Sequence, residues 1–197
     1  MFHIGQHVQV ALAGGDPMEF PAGAPVRDLP GSDRAPDGLP ILAALVNNDV
    51  VSLSYPLETD SRVDFLTIRH RQGWRIYRNT ASFLLAKTVH ELFPGAAFAV
   101  EHSLGNGYYC SFKPAGGPAT EEDLRRIEAA MHDLAQRDVP IVRRKISYSQ
   151  ALATFSAEQQ TDKADLLRYR NPPYVTLYDC EGFSDLAHGV LADRAGA

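Results

Sequence analysis

The chain has 197 residues, of which 45% are apolar and 22% are charged, so its composition disfavours wholesale disorder and indicates one or two folded domains. Its net charge of −5 excludes a globally basic nucleic-acid-binding protein, although a local basic patch stays open. Two cysteines exclude a disulfide framework, and without a long apolar run or a signal peptide we expect a cytoplasmic protein that makes no membrane contact.

Residues 1–72 show short alternating apolar segments between turns rich in Gly and Pro, which is typical of strands. Strands are predicted over residues 8–12, 18–20, 50–53 and 63–68. Residues 41–46 fit either a short helix or a buried strand, because periodicity does not separate the two. Short strands around one helix predict a small β-grasp-like unit.

The turn predicted at Gln72 and Gly73 opens a more helical back half. Helices are predicted over residues 80–93, 120–137, 149–155 and 162–169, and strands over residues 97–100, 107–112, 141–146 and 174–178. Asn106 and Gly107 indicate a hairpin turn, and Thr120 with Asp123 three residues on indicates a helix N-cap. This order of elements favours an α+β fold.

The sequence contains no phosphate-binding GxxxxGK[ST] loop and no GxSxG, HExxH or GxGxxG motif. His102, Cys110, Cys180 and His188 are residue types that bind zinc, but their spacing is not diagnostic, and we predict no metal site. The basic residues 143–145 fall on a predicted strand. They indicate either a solvated sheet edge or a phosphate-binding or RNA-binding patch made of Arg143, Arg144, Lys145, Arg168 and Arg170.

Several stretches of the back half form an ordered set: residues 78–86, 92–94, 107–112, 120–124, 140–144, 162–167 and 182–186. In this order they resemble the second additional, or editing, domain of threonyl-tRNA synthetase. Residues 20–26, 46–48 and 51–54 resemble the TGS domain, a ubiquitin-like β-grasp unit. The resemblance implies a TGS-like β-grasp domain over residues 1–72 and a two-layer α+β editing-like domain over residues 73–197, shortened at its C-terminus.

The sequence departs from that family at the residues that carry its chemistry. The family has HxxxH on a helix and a later CxxxH, and the corresponding positions here are Asn79, Phe83, Ala187 and Leu191. None of these side chains exchanges a proton at neutral pH, so we predict no catalytic residue. Other pocket positions persist, and the resemblance therefore implies a degenerate ligand pocket formed by Asn79, Phe83, Tyr108, Tyr109, Lys163, Asp185 and His188.

Residues 101–110 and 177–183 also look similar to a group of bacterial nucleoside (uridine) kinase-like proteins. In that group a TGS and editing-like pair precedes a P-loop kinase domain, and the HxxxH pattern is likewise missing. This resemblance implies a P-loop kinase partner, in the same chain or a separate one. It implies ATP and Mg²⁺ only together with such a kinase domain, so no cofactor is expected for the chain itself.

Our main hypothesis from the sequence is a non-catalytic accessory or regulatory module of a nucleoside kinase-like protein that binds a nucleoside-like or aminoacyl-like small molecule. The first alternative is a tRNA-binding module that uses the basic residues on phosphates. The second alternative is a hydrolase that deacylates mischarged tRNA in trans, with His188 in place of the lost side chains. The sequence does not indicate an oligomeric state.

Overall fold

The computed structural model of the chain describes residues 7–157, 161–170, 172–187 and 189–197, and of residues 161, 162 and 170 only the backbone. In this part the chain is a mixed α+β structure. Its strands are β1 (His7–Leu12), β2 (Met18–Pro21), β3 (Ala24–Pro25), β4 (Ala43–Val46), β5 (Asp49–Val51), β6 (Pro56–Leu57), β7 (Ser61–Leu66), β8 (Ala97–Leu104), β9 (Gly107–Lys113), β10 (Val142–Ser147), β11 (Tyr174–Cys180) and β12 (Phe183–Leu186). Its α-helices are α1 (Arg71–Leu92), α2 (Glu121–Gln136), α3 (Tyr148–Ala157) and α4 (Thr161–Arg170).

The front of the chain forms a five-stranded sheet in the order β2-β1-β7-β4-β5. Strands β1 and β7 run parallel at its centre, and the other neighbours run antiparallel. Residues 43–46 form a strand rather than a helix because β4 pairs on both sides, with β5 and with β7. The helical part of this region, as far as it is described, is a 3₁₀ turn over Val26–Asp28 that buries Val26 in the core beneath the sheet.

The turn predicted at Gln72 and Gly73 is wrong, because both residues lie in the first turn of α1. The helix begins straight after β7, where the backbone N–H of Thr67 donates to Nδ1 of His70 at 3.1 Å. Gly73 is not a turn residue. It lets the helix lie against the Thr67 carbonyl, since an added Cβ would stand 1.9 Å from that oxygen.

The back half contains two further sheets. Strands β8 and β9 form a hairpin, and β10, β11 and β12 form an antiparallel sheet in that order. Strand β12 was missed from the sequence because it follows β11 after only two residues, Glu181 and Gly182, which both have positive φ as in a tight hairpin turn. The capping box expected at the start of α2 is present between Thr120 and Asp123.

One cation is buried between α1 and the β11–β12 turn. Lys87 is only 1% exposed, and its Nζ lies 2.6 Å from Oε1 of Glu91 and 3.3 Å from Oε2 of Glu181. Glu181 also accepts a hydrogen bond from Arg137 at the end of α2. The hydrogen bond from Arg137, followed by that from Lys87, lowers the pKa of Glu181. This group of charges joins α1, α2 and the β11–β12 turn.

Helix α1 also packs against the front sheet. Ile76 shares a buried cluster with Leu42, Leu66 and Ala192, so residues from both halves of the chain and from the C-terminal segment meet there. The backbone N–H of Ala192 donates to Oγ1 of Thr80 at 2.9 Å. The described helices include none that is both long and apolar enough to cross a bilayer.

Replacing Gly73 tests the close approach of α1 to β7. In Gly73→Ala the new methyl group would overlap the Thr67 carbonyl, so the helix must shift, and we expect the free energy of unfolding to fall by at least about 2 kcal/mol. Gly116→Ala is the matched control, since its Cβ would meet open space. Urea titrations of both variants give the comparison, and equal stability would contradict this account of Gly73.

Candidate functional site

A cavity of about 620 Å³ opens between α1, the β8–β9 hairpin, α4 and β12. It brings together residues that lie far apart in the sequence. Five positions of the predicted pocket line it: Asn79, Phe83, Tyr108, Lys163 and Asp185. Ala187, one of the four positions at which the editing family has a His or Cys, lines it as well.

The apolar wall of the cavity is aromatic. Phe83 on α1 and Phe183 on β12 are both buried, and their ring centroids are 5.5 Å apart. The ring of His90, one helical turn beyond Ala86 on α1, lies 5.5 Å from the ring of Phe183. A ligand with an apolar portion could therefore exclude water from this wall.

The polar centre of the cavity is an ion pair between α4 and β12. Lys163 Nζ lies 2.5 Å from Oδ1 of Asp185, and the side chains are only 23% and 15% exposed. The ammonium also lies 5.8 Å from the ring centroid of Phe155 and 5.9 Å from that of Phe183. The cavity therefore presents one cation and one anion side by side, in surroundings poorer in water than the surface.

The hairpin supplies polar groups that sequence reasoning missed. Glu101, His102 and Ser103 line the cavity, as do the three residues before them, so a consecutive stretch of β8 borders it. The strand has a register shift, a β-bulge, between Val100 and His102, and the ring of His102 is stacked on that of Tyr109, its partner across the hairpin. Nothing in the residue types of β8 marks this strand as part of a cavity wall.

Two other positions named from the sequence lie outside the cavity, and a third is not among the described residues. Tyr109 does not line the cavity, because it alternates with Tyr108 along β9; it is 52% exposed and stacks on His102 with ring centroids 5.1 Å apart. Leu191, the fourth of the positions at which the editing family has a His or Cys, is buried in the core beside Tyr178 and Phe183. His188 lies outside the described residues.

The basic residues predicted as a patch are largely paired within the protein. Arg143, Arg144 and Lys145 are exposed on β10, at the edge of its sheet. Arg144 forms a two-pronged ion pair with Asp179, and Lys145 lies 4.7 Å from the ring centroid of Tyr174. Arg168 pairs with Asp165 at 2.8 Å, and the side chain of Arg170 is outside the described part. These partners weaken the interpretation of the residues as a phosphate-binding patch.

The cysteines offer no reactive thiolate. Burial raises the pKa of both Cys110 and Cys180, so each thiol stays protonated at neutral pH. The two residues lie on separate sheets, Cys110 on β9 and Cys180 on β11. Among the described residues, no group of three or more His, Cys, Asp or Glu side chains could hold a metal ion.

No protein-family model matches this chain. Threonine–tRNA ligases do match it along most of its length. The ligase of Pelobacter propionicus is 33% identical over 182 residues, which are 92% of this chain and 28% of the ligase. That of Desulforamulus reducens is 30% identical over 190 residues, which are 96% of this chain and 30% of the ligase. The chain thus spans less than a third of the length of these relatives.

These relatives show that the chain is related to a part of threonyl-tRNA synthetase. They favour the tRNA alternative over the main hypothesis drawn from the sequence. The predicted association with a nucleoside kinase receives no support from them.

The Arg144–Asp179 pair gives a pH prediction. Burial of Asp179 opposes its charge, but the hydrogen bonds from Arg144 and Ser184 outweigh burial and lower its pKa. The folded state then binds this proton less readily than the unfolded state, so the contribution of the pair is present above the unfolded pKa and is lost as pH falls through the folded pKa.

We expect Asp179→Asn to lower the free energy of unfolding by about 1 kcal/mol at pH 7. The difference from wild type should begin to shrink as the pH falls below about 4 and should vanish below the lowered pKa of Asp179 in the folded state. Asp165→Asn is the control, since its ion pair with Arg168 is exposed and should contribute little. Chemical denaturation at several pH values measures both, and a pH-independent difference would contradict the assignment.

Proposed function

We propose that this chain is a module that binds the aminoacylated 3′ end of tRNA without hydrolysing the ester. In this proposal the chain has the domain plan of the threonyl-tRNA synthetase N-terminus, a TGS-like β-grasp domain followed by an editing-type domain. The observation that carries the proposal is the cavity itself. One cavity contains the Lys163–Asp185 ion pair together with Asn79, Phe83 and Ala187. These three residues occupy positions at which the editing family has a His or Cys.

The front sheet supports the β-grasp assignment. A β-grasp unit places its first and last strands parallel at the centre of a mixed sheet, with a hairpin on each side. The order β2-β1-β7-β4-β5, with β1 parallel to β7, has this arrangement. Among the described residues, the core against this sheet is completed by the 3₁₀ turn at Val26–Asp28 and by residues outside the sheet such as Leu29, Leu53 and Leu57.

The chemistry of the cavity suits an aminoacyl-adenosine. Its carboxylates, Asp185 and Glu101, can accept hydrogen bonds from ribose hydroxyls or from the α-ammonium group of an aminoacyl ester. Lys163 can donate to a carbonyl or phosphate oxygen, as a charge-assisted hydrogen bond. The aromatic wall of Phe83 and Phe183 can cover the base or the amino-acid side chain. The cavity volume lies within the range of small-molecule sites.

The side chains at the positions of the editing family's His and Cys argue against ester hydrolysis of that family's kind. Hydrolysis needs a group that takes a proton from water, and Asn79, Phe83 and Ala187 have no such group. A binding role therefore ranks above the trans-editing hydrolase. The hydrolase is the second candidate because His90 and His102 line the cavity and an imidazole can act as a general base. However, the ring of His102 is stacked on Tyr109, and that of His90 is packed near Phe183.

The Lys163 side chain provides the test of the binding role. We expect Lys163→Ala to weaken the binding of a non-hydrolysable 3′-threonylamido-adenosine by about tenfold, since it removes a charge-assisted hydrogen bond. Arg168→Ala is the matched control, because it removes an equal charge from the same helix at an exposed position. Isothermal calorimetry gives both affinities, and circular dichroism verifies that α4 stays folded.

The proposal fails if the wild-type chain does not bind this analogue at millimolar concentration. Release of amino acid from mischarged tRNA by the wild-type chain, abolished in His102→Ala, would instead establish the hydrolase. A chain that binds the analogue and leaves the ester of a mischarged tRNA intact meets both halves of the proposal.

A further inference from the structure

The stripe of α1 that lines the cavity continues toward the start of the helix as a row of arginines. Asn79, Ser82 and Ala86 contact the cavity, and residues three or four apart share one face of a helix. Arg75 and Arg71 precede Asn79 by four and eight residues. Arg78 precedes Ser82 by four residues, so all three arginines lie on this face. From Arg71 to Arg78 the stripe extends about 10 Å along the helix axis.

Two of these arginines have no partner in the described residues. Arg71 and Arg75 are exposed, and neither forms an ion pair or a side-chain hydrogen bond with any part of the chain that the structure describes. The first turn of α1 contains no acidic residue. Cations at a helix N-terminus are disfavoured by the helix dipole, and neighbouring cations repel each other. Helix stability therefore does not account for this row of charges.

The third arginine connects the row to the cavity. The Arg78 guanidinium lies 4.0 Å from the ring centroid of Tyr108, a cavity residue, and its Nη2 donates to the Gly107 carbonyl at 2.8 Å. These contacts place Arg78 at the rim, between the exposed arginines and the cavity. A nucleic-acid strand whose phosphates bound the three arginines in order would therefore have its end at the cavity.

An aromatic platform lies beside the row. Trp74 is 38% exposed and Tyr77 is 42% exposed, and their rings stack with centroids 5.5 Å apart and an angle of 19° between the planes. Trp74 lies three residues after Arg71 and four before Arg78, so it shares a face of the helix with both. Exposed aromatic side chains among unpaired cations are the combination with which proteins bind single-stranded nucleic acid, since bases stack and phosphates are neutralised.

We infer that the first two turns of α1, through Arg71, Trp74, Arg75 and Arg78, bind the unpaired nucleotides that precede the 3′-terminal adenosine of an RNA. This inference rests on the proposed function, because the cavity determines which end of the RNA lies at Arg78. The phosphates lie along the arginines, one base stacks on Trp74, and the terminal nucleoside enters the cavity. The predicted patch on β10 is the weaker candidate, because Arg144 and Lys145 already have partners.

The first test uses a fluorescent seven-nucleotide RNA that ends in ACCA and the variant Arg71→Gln/Arg75→Gln. We expect affinity at 0.1 M salt to fall by about tenfold or more, and the slope of log K against log salt concentration to become shallower by about 1.4, which is about 0.7 for each lost phosphate contact. The matched control is Arg125→Gln/Arg126→Gln, which removes two exposed charges near the start of α2 and should leave both quantities unchanged.

Trp74 is tested separately. Trp74→Ala should weaken binding of the same RNA by about tenfold, and Trp74→Phe should recover most of the loss because it restores a stacking face. The thermal midpoint of Arg71→Gln/Arg75→Gln should equal or exceed that of wild type, since the substitution removes charges that oppose the helix dipole. A loss of binding in this variant is therefore not a loss of folding.

A second RNA, which lacks the terminal CCA, separates this inference from the proposed function. If wild type prefers the ACCA end and the arginine variant binds it equally well, the RNA surface on α1 is wrong and the cavity proposal stands. If both RNAs bind wild type equally and the arginine variant loses both, the α1 surface stands and recognition of the 3′ end is wrong. If wild type binds neither RNA, the α1 surface is overturned, while the cavity proposal is decided by the calorimetry with the threonylamido-adenosine.

Discussion

The geometry of the cavity depends on one buried ammonium group. Lys87 is almost fully enclosed, and a charged lysine persists in such a place only when carboxylates pair with it. Glu91 comes from α1 itself, but Glu181 comes from the β11–β12 turn, so the pairing fixes the distance between these elements. Helix α1 carries Asn79 and Phe83, and β12 carries Asp185. The two walls of the cavity are therefore positioned by a charge outside it.

Local signals predicted the parts of the fold that local physics determines. The hairpin at Asn106 and Gly107 and the capping box of α2 depend on residues a few positions apart, and both are present. The start of α1 and the strand at residues 43–46 depend on distant contacts. Gly73 is a residue type typical of turns, but here it lies in a helix and is required because the Thr67 carbonyl leaves no room for a Cβ. Residues 43–46 form the strand β4 because β7 and β5 pair with it on either side.

The candidate site divides in the same way. The resemblance to the synthetase editing domain named five residues that the structure brings to one cavity, from segments as distant as α1 and β12. It did not name Glu101 and His102, which border the cavity because the β8–β9 hairpin lies beside α1, a contact between distant segments. It included Tyr109, which the alternation along β9 directs away. The sequence did not predict a binding role for the arginines of α1, because the predicted helix began at residue 80. Only a helix that begins at Arg71 places them on the same face as Asn79.

The Lys163–Asp185 ion pair has a consequence for selectivity. Within the cavity Lys163 and Asp185 pair with each other, so a ligand with one charged group and no other polar group can pair with one of them only by leaving the other unpaired in poorly hydrated surroundings. A ligand that places an ammonium group beside a carbonyl or phosphate oxygen provides a partner for both side chains and exchanges one pair for two. The ion pair therefore favours ligands that carry a donor and an acceptor side by side over simple cations and anions of the same size.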